Sequence, residues 1–344
     1  MSDLTTEAPL EEEFGGRCTL GDWLDEWLGL CSLRGLRQTT IEGYRRVLEL
    51  YVSSSLRESG LGDIQPRQLN ALYAQLLTGG RRYGRGGLSA RTVRFVHTVL
   101  NGAFTDAVRH GLIDRNPAAA ADPPSRRASQ APVFRTWTPE ELRHFLAAVQ
   151  NDPWYPALHL AASTGLRRGE LLGLRWADLD LESAELQVIQ TVVQIRWEAQ
   201  LSTPKTPKSR RRVALDRHTV DVLRLHLVAI QAKSRGQRLD ATSLAFPSPT
   251  GGPMNPDLFS AHFQRLVRKS GLPRIRLHDL RHSHATHALA AGVNPKVVAE
   301  RLGHASVVIT LDTYSHVFPT LQREAAEVVA SLVAESGPLQ GSDA

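Results

Sequence analysis

The chain has 344 residues, of which 42% are hydrophobic, and it carries a formal net charge of +6 with a pI near 9.6. This length predicts about two domains, and the apolar residues come in short periodic segments, which excludes a membrane span of roughly 20 residues. The acidic N-terminus lacks the apolar core of a secretory signal, so we expect a cytoplasmic protein.

The composition favours a polyanionic partner. Only five of the 41 basic residues are lysines, so arginine, which can bind phosphate through two N–H groups at once, supplies most of the positive charge. A GC-rich genome would also enrich arginine, and the composition leaves both explanations open. The two cysteines, Cys18 and Cys31, are too few for a disulfide framework and lack metal-ligand spacing.

The first part of the chain predicts a helical domain over 19–117, after a disordered tail over 1–18. Thr19 is a candidate N-cap, and Asp22 stands at the position that completes a capping box. The other predicted helices begin near Thr40, Pro66 and Ser89.

The rest of the chain predicts a second domain over 137–335. The preceding segment 118–136 is rich in Ala, Pro, Ser and Arg without periodicity, as an interdomain linker would be. Thr138-Pro139 has the residues of a helix start, and helices dominate thereafter. The β-branched residues between Ala184 and Leu215 predict one small antiparallel sheet. A short tail over 336–344 ends the chain.

The last predicted helix begins near Leu321 and carries an apolar stripe. The stripe consists of Leu321, Ala325, Val328, Val329 and Leu332. A helix that stays amphipathic buries its apolar face against something. Here that surface is either a neighbouring protomer or the helix's own domain.

Four short motifs in the second domain carry the residue types that phosphoryl transfer needs. They lie at Thr164–Glu170, Pro204–Lys208, His278–His282 and Leu302–Tyr314. Negative charge builds on the phosphate oxygens when a hydroxyl attacks a phosphodiester, and fixed arginine and histidine side chains can neutralise it without a metal ion. The attacking phenol must lose a proton and the leaving oxygen must gain one, so the site requires a base and an acid.

These motifs resemble those of the tyrosine recombinase family, which includes the phage integrases and the Xer recombinases. The resemblance extends from about Thr19 to Val333, and it implies a catalytic set of arginine, lysine, histidine and tyrosine side chains. By position these are Arg167, Lys205, His278, Arg281, His304 and Tyr314. Glu170 matches the family's supporting carboxylate. The implied fold is mainly α, with an N-terminal helical core-binding domain and an α-rich catalytic domain that contains a small antiparallel β-sheet.

The catalytic lysine has two candidates, because the predicted hairpin turn contains both Lys205 and Lys208. In the family this lysine protonates the leaving 5′ oxygen. The Pro-Lys-Thr setting of Lys205 resembles that of phage integrases, whereas a short turn would favour Lys208.

The histidines of the third motif have a second interpretation. His278, His282, His284 and His287 are spaced so that pairs of them share a helix face, as metal ligands do. Apart from Asp279, no carboxylate or cysteine falls at ligand spacing, so we prefer the recombinase interpretation and expect neither a metal nor a cofactor.

The resemblance implies a site-specific recombinase that cuts and rejoins DNA through a 3′-phosphotyrosine and a Holliday junction, and thereby integrates or excises a mobile element. Its expected partners are double-stranded DNA with inverted-repeat core sites, further copies of itself in a homotetramer, and a directionality factor; no membrane partner is expected. Two rival functions are a DNA-relaxing enzyme like type IB topoisomerases and a DNA-binding relative without catalysis. The complete set of catalytic residue types argues against the second rival.

Overall fold

The computed structural model describes residues 18–81, 86–129, 135–203, 210–233, 239–240, 242–314 and 318–334, with the backbone alone over 318–324. The chain divides into two compact units, Met1–Val133 and Phe134–Ala344. Both lysine candidates, Lys205 and Lys208, lie outside the described residues, as do the predicted tails apart from Cys18.

The described part of the first unit is helical. Its helices are α1 (Leu20–Leu33), α2 (Gln38–Tyr51), α3 (Ser54–Arg57), α4 (Pro66–Gly79) and α5 (Ala90–Arg109). The predicted capping box is confirmed, because the Thr19 hydroxyl accepts from the Asp22 amide at 3.2 Å and the Asp22 carboxylate accepts from the Thr19 amide at 3.1 Å. Short 3-10 turns lie at Leu61–Asp63 and Pro117–Ala120, and Ala118 is buried in the core of this unit.

Helices α1 and α5 are joined through a buried carboxylate. The Trp27 indole donates to Asp106 at 2.8 Å, and Arg34 donates to the same carboxylate at 2.5 Å. The Trp23 indole donates to the Ala103 carbonyl at 2.9 Å. The buried charge of Asp106 is therefore compensated, and both indole N–H groups have partners, as burial requires.

The second unit is helical around two small sheets. Its helices are α6 (Pro139–Ala148), α7 (Tyr155–Thr164), α8 (Arg168–Leu172), α9 (Arg217–Lys233), α10 (Pro256–Lys269), α11 (Leu277–Ala290), α12 (Pro295–Leu302), α13 (Val307–Thr313) and α14 (Phe318–Ala334). The predicted cap at Thr138 is confirmed, since its hydroxyl accepts from the Glu141 amide at 3.2 Å. Trp137, Phe145 and Phe263 form an aromatic cluster in the core, with ring centroids 4.9–6.1 Å apart.

The strands form two sheets rather than the one that the sequence predicted. They are β1 (Leu179–Asp180), β2 (Glu185–Val188), β3 (Thr191–Ile195), β4 (Glu198–Ser202) and β5 (Arg211–Ala214). β1, β2 and β5 pair antiparallel in that order, while β3 and β4 form a separate hairpin. β3 packs on α8, where a Cβ added at Gly169 would lie 2.4 Å from the Thr191 hydroxyl oxygen. That close packing directs β3 away from the ladder of β2.

The predicted fold class, mainly α with a small amount of antiparallel sheet, is confirmed. Within the ranges described above, no helix is both long and apolar enough to cross a bilayer.

Candidate active site

Arg167 lies at the N-terminus of α8, where its backbone and side chain both bind one carboxylate. Arg167 is the N-cap of this helix, and its amide donates to the Glu170 carboxylate at 2.9 Å. Its guanidinium donates to the other oxygen of that carboxylate at 2.7 Å and to the Gly303 carbonyl at 2.9 Å. The half-exposed guanidinium is therefore held in one orientation, with its edge linked to the turn that follows α12.

Arg211 belongs to the same network and was not predicted. Its two terminal nitrogens donate to the two Glu170 oxygens at 3.1 and 2.8 Å, and its Nε donates to the Arg301 carbonyl at 2.7 Å. Burial alone would raise the pKa of the Glu170 carboxyl, but the hydrogen bonds and charge of Arg211, together with the charge of Arg167, lower it. The signal available in the sequence was the alternation of β5, which places Arg211 on the same face as the buried Val213.

Glu170→Gln should destabilise the second unit by about 3–5 kcal/mol, because it leaves the buried Arg211 guanidinium without its counter-charge. The folded-state pKa of Glu170 is lowered, so its contribution to stability is complete above the ordinary value of about 4.3 and is lost as the pH falls through the folded pKa. The difference in unfolding free energy between wild type and variant should therefore narrow at acidic pH. Urea unfolding at several pH values measures it.

The matched control is Glu182→Gln, which removes a carboxylate that is 93% exposed and paired with Arg224 at 3.3 Å. A surface pair of this kind contributes about 0–1 kcal/mol. Equal effects of the two substitutions would contradict the role given to Glu170.

Arg281 lies deeper, on α11. Its side chain is 3% exposed, and one terminal nitrogen donates to the Gly165 carbonyl at 2.9 Å. The other terminal nitrogen, Nη2, is buried without a hydrogen-bond partner among the described residues. Burial, followed by the charge of Arg167, lowers the pKa of Arg281 to about 9. A buried cation with an unpaired N–H group is an arrangement that an anion would stabilise.

Two histidines flank Arg281 on the same helix. The His278 and His282 rings are perpendicular, with centroids 5.1 Å apart. Burial, followed by the charge of Arg281, lowers the pKa of His278. The pKa of His282 is lowered to about 4, by burial and then by the charge of His278. Both rings are therefore neutral near pH 7.

His304 follows the turn at Gly303, which ends α12 with a positive φ of 68°. A Cβ added at Gly303 would lie 2.8 Å from an Arg211 terminal nitrogen, so this turn requires glycine. His304 Nδ1 bonds the Thr310 hydroxyl at 2.7 Å, which orients its ring. Burial and the charges of Arg281 and Arg167 lower the pKa of His304 to about 4.

Tyr314 stands at the end of α13 and is 1% exposed. Its ring packs with Leu289, Val298 and Leu302, and its hydroxyl lies 2.8 Å from His282 Nδ1. Burial raises the pKa of the phenol to about 12, against the opposing effect of Arg281. The phenol is therefore expected to be protonated near pH 7.

The structure thus brings five of the six predicted residues into one linked group. Arg167, Arg281, His278, His304 and Tyr314 are connected by the contacts given above or by electrostatic interaction with Arg281. Lys205 falls outside the described residues, as does its alternative Lys208.

The other two histidines of the predicted cluster face elsewhere. His284 packs against Gly165 and accepts from Arg301 at 3.3 Å, and His287 bonds the Trp137 carbonyl at 2.8 Å. In the part of the chain that the structure describes, no group of three metal-binding side chains comes together.

Comparison with known proteins decides the family. The phage integrase family pattern matches residues 135–320, more than half of the chain, and the N-terminal SAM-like domain of phage integrases matches residues 19–77. The chain belongs to the phage integrase family. It is a site-specific DNA recombinase of the tyrosine recombinase type, as the sequence predicted.

A relative and two solved structures illustrate the likeness. The tyrosine recombinase XerC-like protein of Caldanaerobacter subterraneus is 27% identical, over 91% of this chain and 83% of its own length. The integrase of the Tn1549 transposon, solved with a circular intermediate DNA, is 21% identical with a TM-score of 0.70, over 90% of this chain and 99% of that one. A λ integrase tetramer bound to a Holliday junction is 20% identical with a TM-score of 0.65, over 90% of this chain and 81% of that one. At these identities the two structures establish a shared fold.

Proposed function

We propose that this recombinase cuts each DNA strand by attack of the Tyr314 phenol on a phosphodiester, forming a 3′-phosphotyrosine, and exchanges strands through a Holliday junction. The observation that carries the proposal is the buried Arg281 guanidinium, whose Nη2 has no partner among the described residues and whose charge acts on Tyr314. A scissile phosphate bound there would supply the missing acceptor beside the nucleophile.

The remaining side chains have complementary roles in this proposal. Arg167, held by Glu170, binds the same phosphate as Arg281, and the neutral rings of His278 and His304 donate N–H groups to its oxygens. The leaving 5′ oxygen takes its proton from Lys205, or from Lys208 in its place. The chemistry therefore proceeds without a metal or cofactor.

A nicked suicide substrate tests this function, because the cleaved fragment diffuses away and the covalent intermediate accumulates. We expect a protein–DNA adduct at the 3′ phosphate that forms equally well in EDTA, with the modified peptide containing Tyr314. An adduct on another residue would overturn the assignment of the nucleophile. Loss of the adduct in EDTA would restore the histidine-cluster metal interpretation.

The proposed DNA partner is a duplex with inverted-repeat core sites, and the first unit is the proposed core-binding domain. Helix α5 offers three candidate phosphate contacts, Arg91, Arg94 and Arg109. Arg94 donates to the Pro124 carbonyl at 2.6 Å and Arg109 pairs with Asp106 at 3.2 Å, whereas Arg91 is exposed. Arg91 is therefore the first of the three to substitute in DNA-binding measurements.

Integration or excision of a mobile element, with a directionality factor, is the biological reaction that we propose.

A homotetramer on DNA is proposed from the last helix. On α14 the side chains of Val328, Val329 and Leu332 are 57%, 59% and 67% exposed, so their own unit does not cover them. The side chain of Leu321 lies outside the described residues. An apolar face of this kind is suited to a neighbouring protomer, as a tetrameric recombinase needs and a monomeric relaxing enzyme does not.

Truncation after Pro319 should abolish synapsis and recombination while single-site DNA binding is retained, because the truncated protein lacks the docking helix but keeps the site. Gel-shift titration and a two-site recombination assay measure the two properties. Val328→Asp should act in the same direction without shortening the chain. Full recombination by the truncated protein would contradict docking between protomers, and global unfolding would instead indicate docking within one chain.

A further inference from the structure

His282 was not among the predicted catalytic residues, yet its imidazole contacts the Tyr314 hydroxyl. The distance from His282 Nδ1 to the phenol oxygen is 2.8 Å, and the two ring centroids are 5.7 Å apart. Tyr314 is almost fully buried and His282 is half-buried. This hydrogen bond is therefore largely shielded from bulk water. In such surroundings a hydrogen bond is electrostatically stronger than in water.

We propose that His282 accepts the proton of the Tyr314 hydroxyl as the phenol attacks the scissile phosphodiester. The inference rests on the proposed function of Tyr314 as the nucleophile. It assigns the general base that the reaction requires to a residue that lies in the third motif but is not one of the six predicted catalytic residues.

Strand cleavage couples two proton transfers to one exchange of bonds at phosphorus. The phenol O–H bond breaks and the proton passes to His282 Nδ1, while the phenol oxygen forms the new bond to phosphorus. The P–O5′ bond breaks with its electron pair on the 5′ oxygen, which takes a proton from the general acid. In rejoining, the 5′ hydroxyl attacks phosphorus and returns its proton to the group that served as the general acid. The bond between phosphorus and the Tyr314 oxygen breaks, and the protonated His282 returns its proton to the departing phenol oxygen.

The geometry of α11 supports this assignment. His278, Arg281 and His282 occupy positions i, i+3 and i+4 of one helix, so His278, which we propose as a phosphate ligand, neighbours both Arg281 and the proposed proton acceptor. A separation of 2.8 Å lies within the range of roughly 2.6–3.2 Å over which a general base can act. His304 Nδ1, by contrast, is engaged with the Thr310 hydroxyl.

The charges around His282 link its basicity to the presence of substrate. The groups acting on it are His278, Asp279, Arg281 and Arg276, and burial together with the cationic groups lowers its pKa to about 4. The ring is therefore neutral near pH 7, and the proposed step requires the tautomer in which Nδ1 accepts from the Tyr314 hydroxyl. A phosphodiester bound at Arg281 brings negative charge that offsets the guanidinium and raises the proton affinity of the imidazole. The base then becomes stronger when the phosphate is in place.

The test compares His282→Asn and His282→Ala in single-turnover cleavage of the nicked suicide substrate. Asparagine keeps an acceptor oxygen near the position of Nδ1 but cannot take up a proton. We expect both variants to cleave on the order of 10²–10⁴ times more slowly than wild type, with DNA affinity and thermal unfolding close to wild type. The matched control is His287→Asn on the same helix, which should cleave at the wild-type rate.

A substrate with a 5′-bridging sulfur in place of oxygen separates the two proton transfers, because a thiolate leaves without protonation. It should restore cleavage by Lys205→Ala or Lys208→Ala, whichever lysine is the acid, and should leave His282→Asn slow. Restoration of His282→Asn would place His282 on the leaving-group side and overturn the proposal. Cleavage of the normal substrate by His282→Asn at the wild-type rate would also overturn the proposal, because His282 would then only position Tyr314. An adduct formed by Tyr314→Phe would instead refute Tyr314 as the nucleophile. That outcome would overturn the proposed function, and it is distinguishable from failure of the His282 proposal.

Discussion

Tyr314→Phe is expected to bind its DNA site with wild-type affinity and to form no covalent adduct. The substitution removes only the attacking oxygen, since a phenylalanine ring fills the same space among Leu289, Val298 and Leu302. The substitution also removes the hydrogen bond to His282, which is worth about 1 kcal/mol of stability. Denaturing gels of the suicide-substrate reaction measure adduct formation, and gel shifts measure binding.

The matched control for this substitution is Tyr155→Phe. Tyr155 begins α7 and is half-buried, and its ring lies against His159 rather than against the active-site histidines. Tyr155→Phe should form the adduct at the wild-type rate. Adduct formation by Tyr314→Phe would refute the assignment of the nucleophile, and loss of adduct by both variants would point to a general effect on folding.

The second large effect is expected from Arg281→Ala, which should slow cleavage about 10²–10³-fold or more while DNA binding changes little. One transition-state electrostatic contact is worth roughly 3–4 kcal/mol, and the scissile phosphate is one of many phosphates that the protein contacts. Arg281→Lys should restore only part of the rate, because an ammonium cannot donate to both the Gly165 carbonyl and a phosphate in the planar geometry of a guanidinium.

Arg143→Ala is the control for the loss of one positive charge from the same unit. Its side chain is exposed and paired with Glu140 on the surface of α6. If Arg281 only positions DNA, Arg281→Ala will reduce DNA affinity and cleavage rate to the same degree. That result would contradict a transition-state role. A melting curve for each variant separates these effects from loss of the buried hydrogen bond to Gly165.

Local features of the chain were predictable because they depend on residues a few positions apart. The capping boxes at Thr19 and Thr138 each join side chains three residues apart, and both form as expected. The pairing of Arg167 with Glu170 has the same spacing. The mainly helical fold class follows from the same short-range periodicity, and the family follows from motifs that are each local.

Contacts between distant residues were decided by the tertiary structure. Asp106 meets Trp27 across 79 positions, and β3 leaves the sheet because it packs closely on Gly169 in α8 and on Gly173 just after it. Arg211 reaches Glu170 only because β5 and α8 are brought together by packing of the second unit. Propensity and spacing carry no information about which buried faces will meet.

The chemistry of the site shows the same division. The sequence by itself determined which side chains are available for phosphoryl transfer, since the residue types of Arg281 and Tyr314 stand in recognisable motifs. Only the tertiary structure decided that Tyr314 is buried against His282, 32 residues away, and that one Arg281 nitrogen lacks a partner among the described residues. The physical reason is that burial and charge compensation, which set the pKa of every one of these groups, are properties of the packed surroundings rather than of the residue itself.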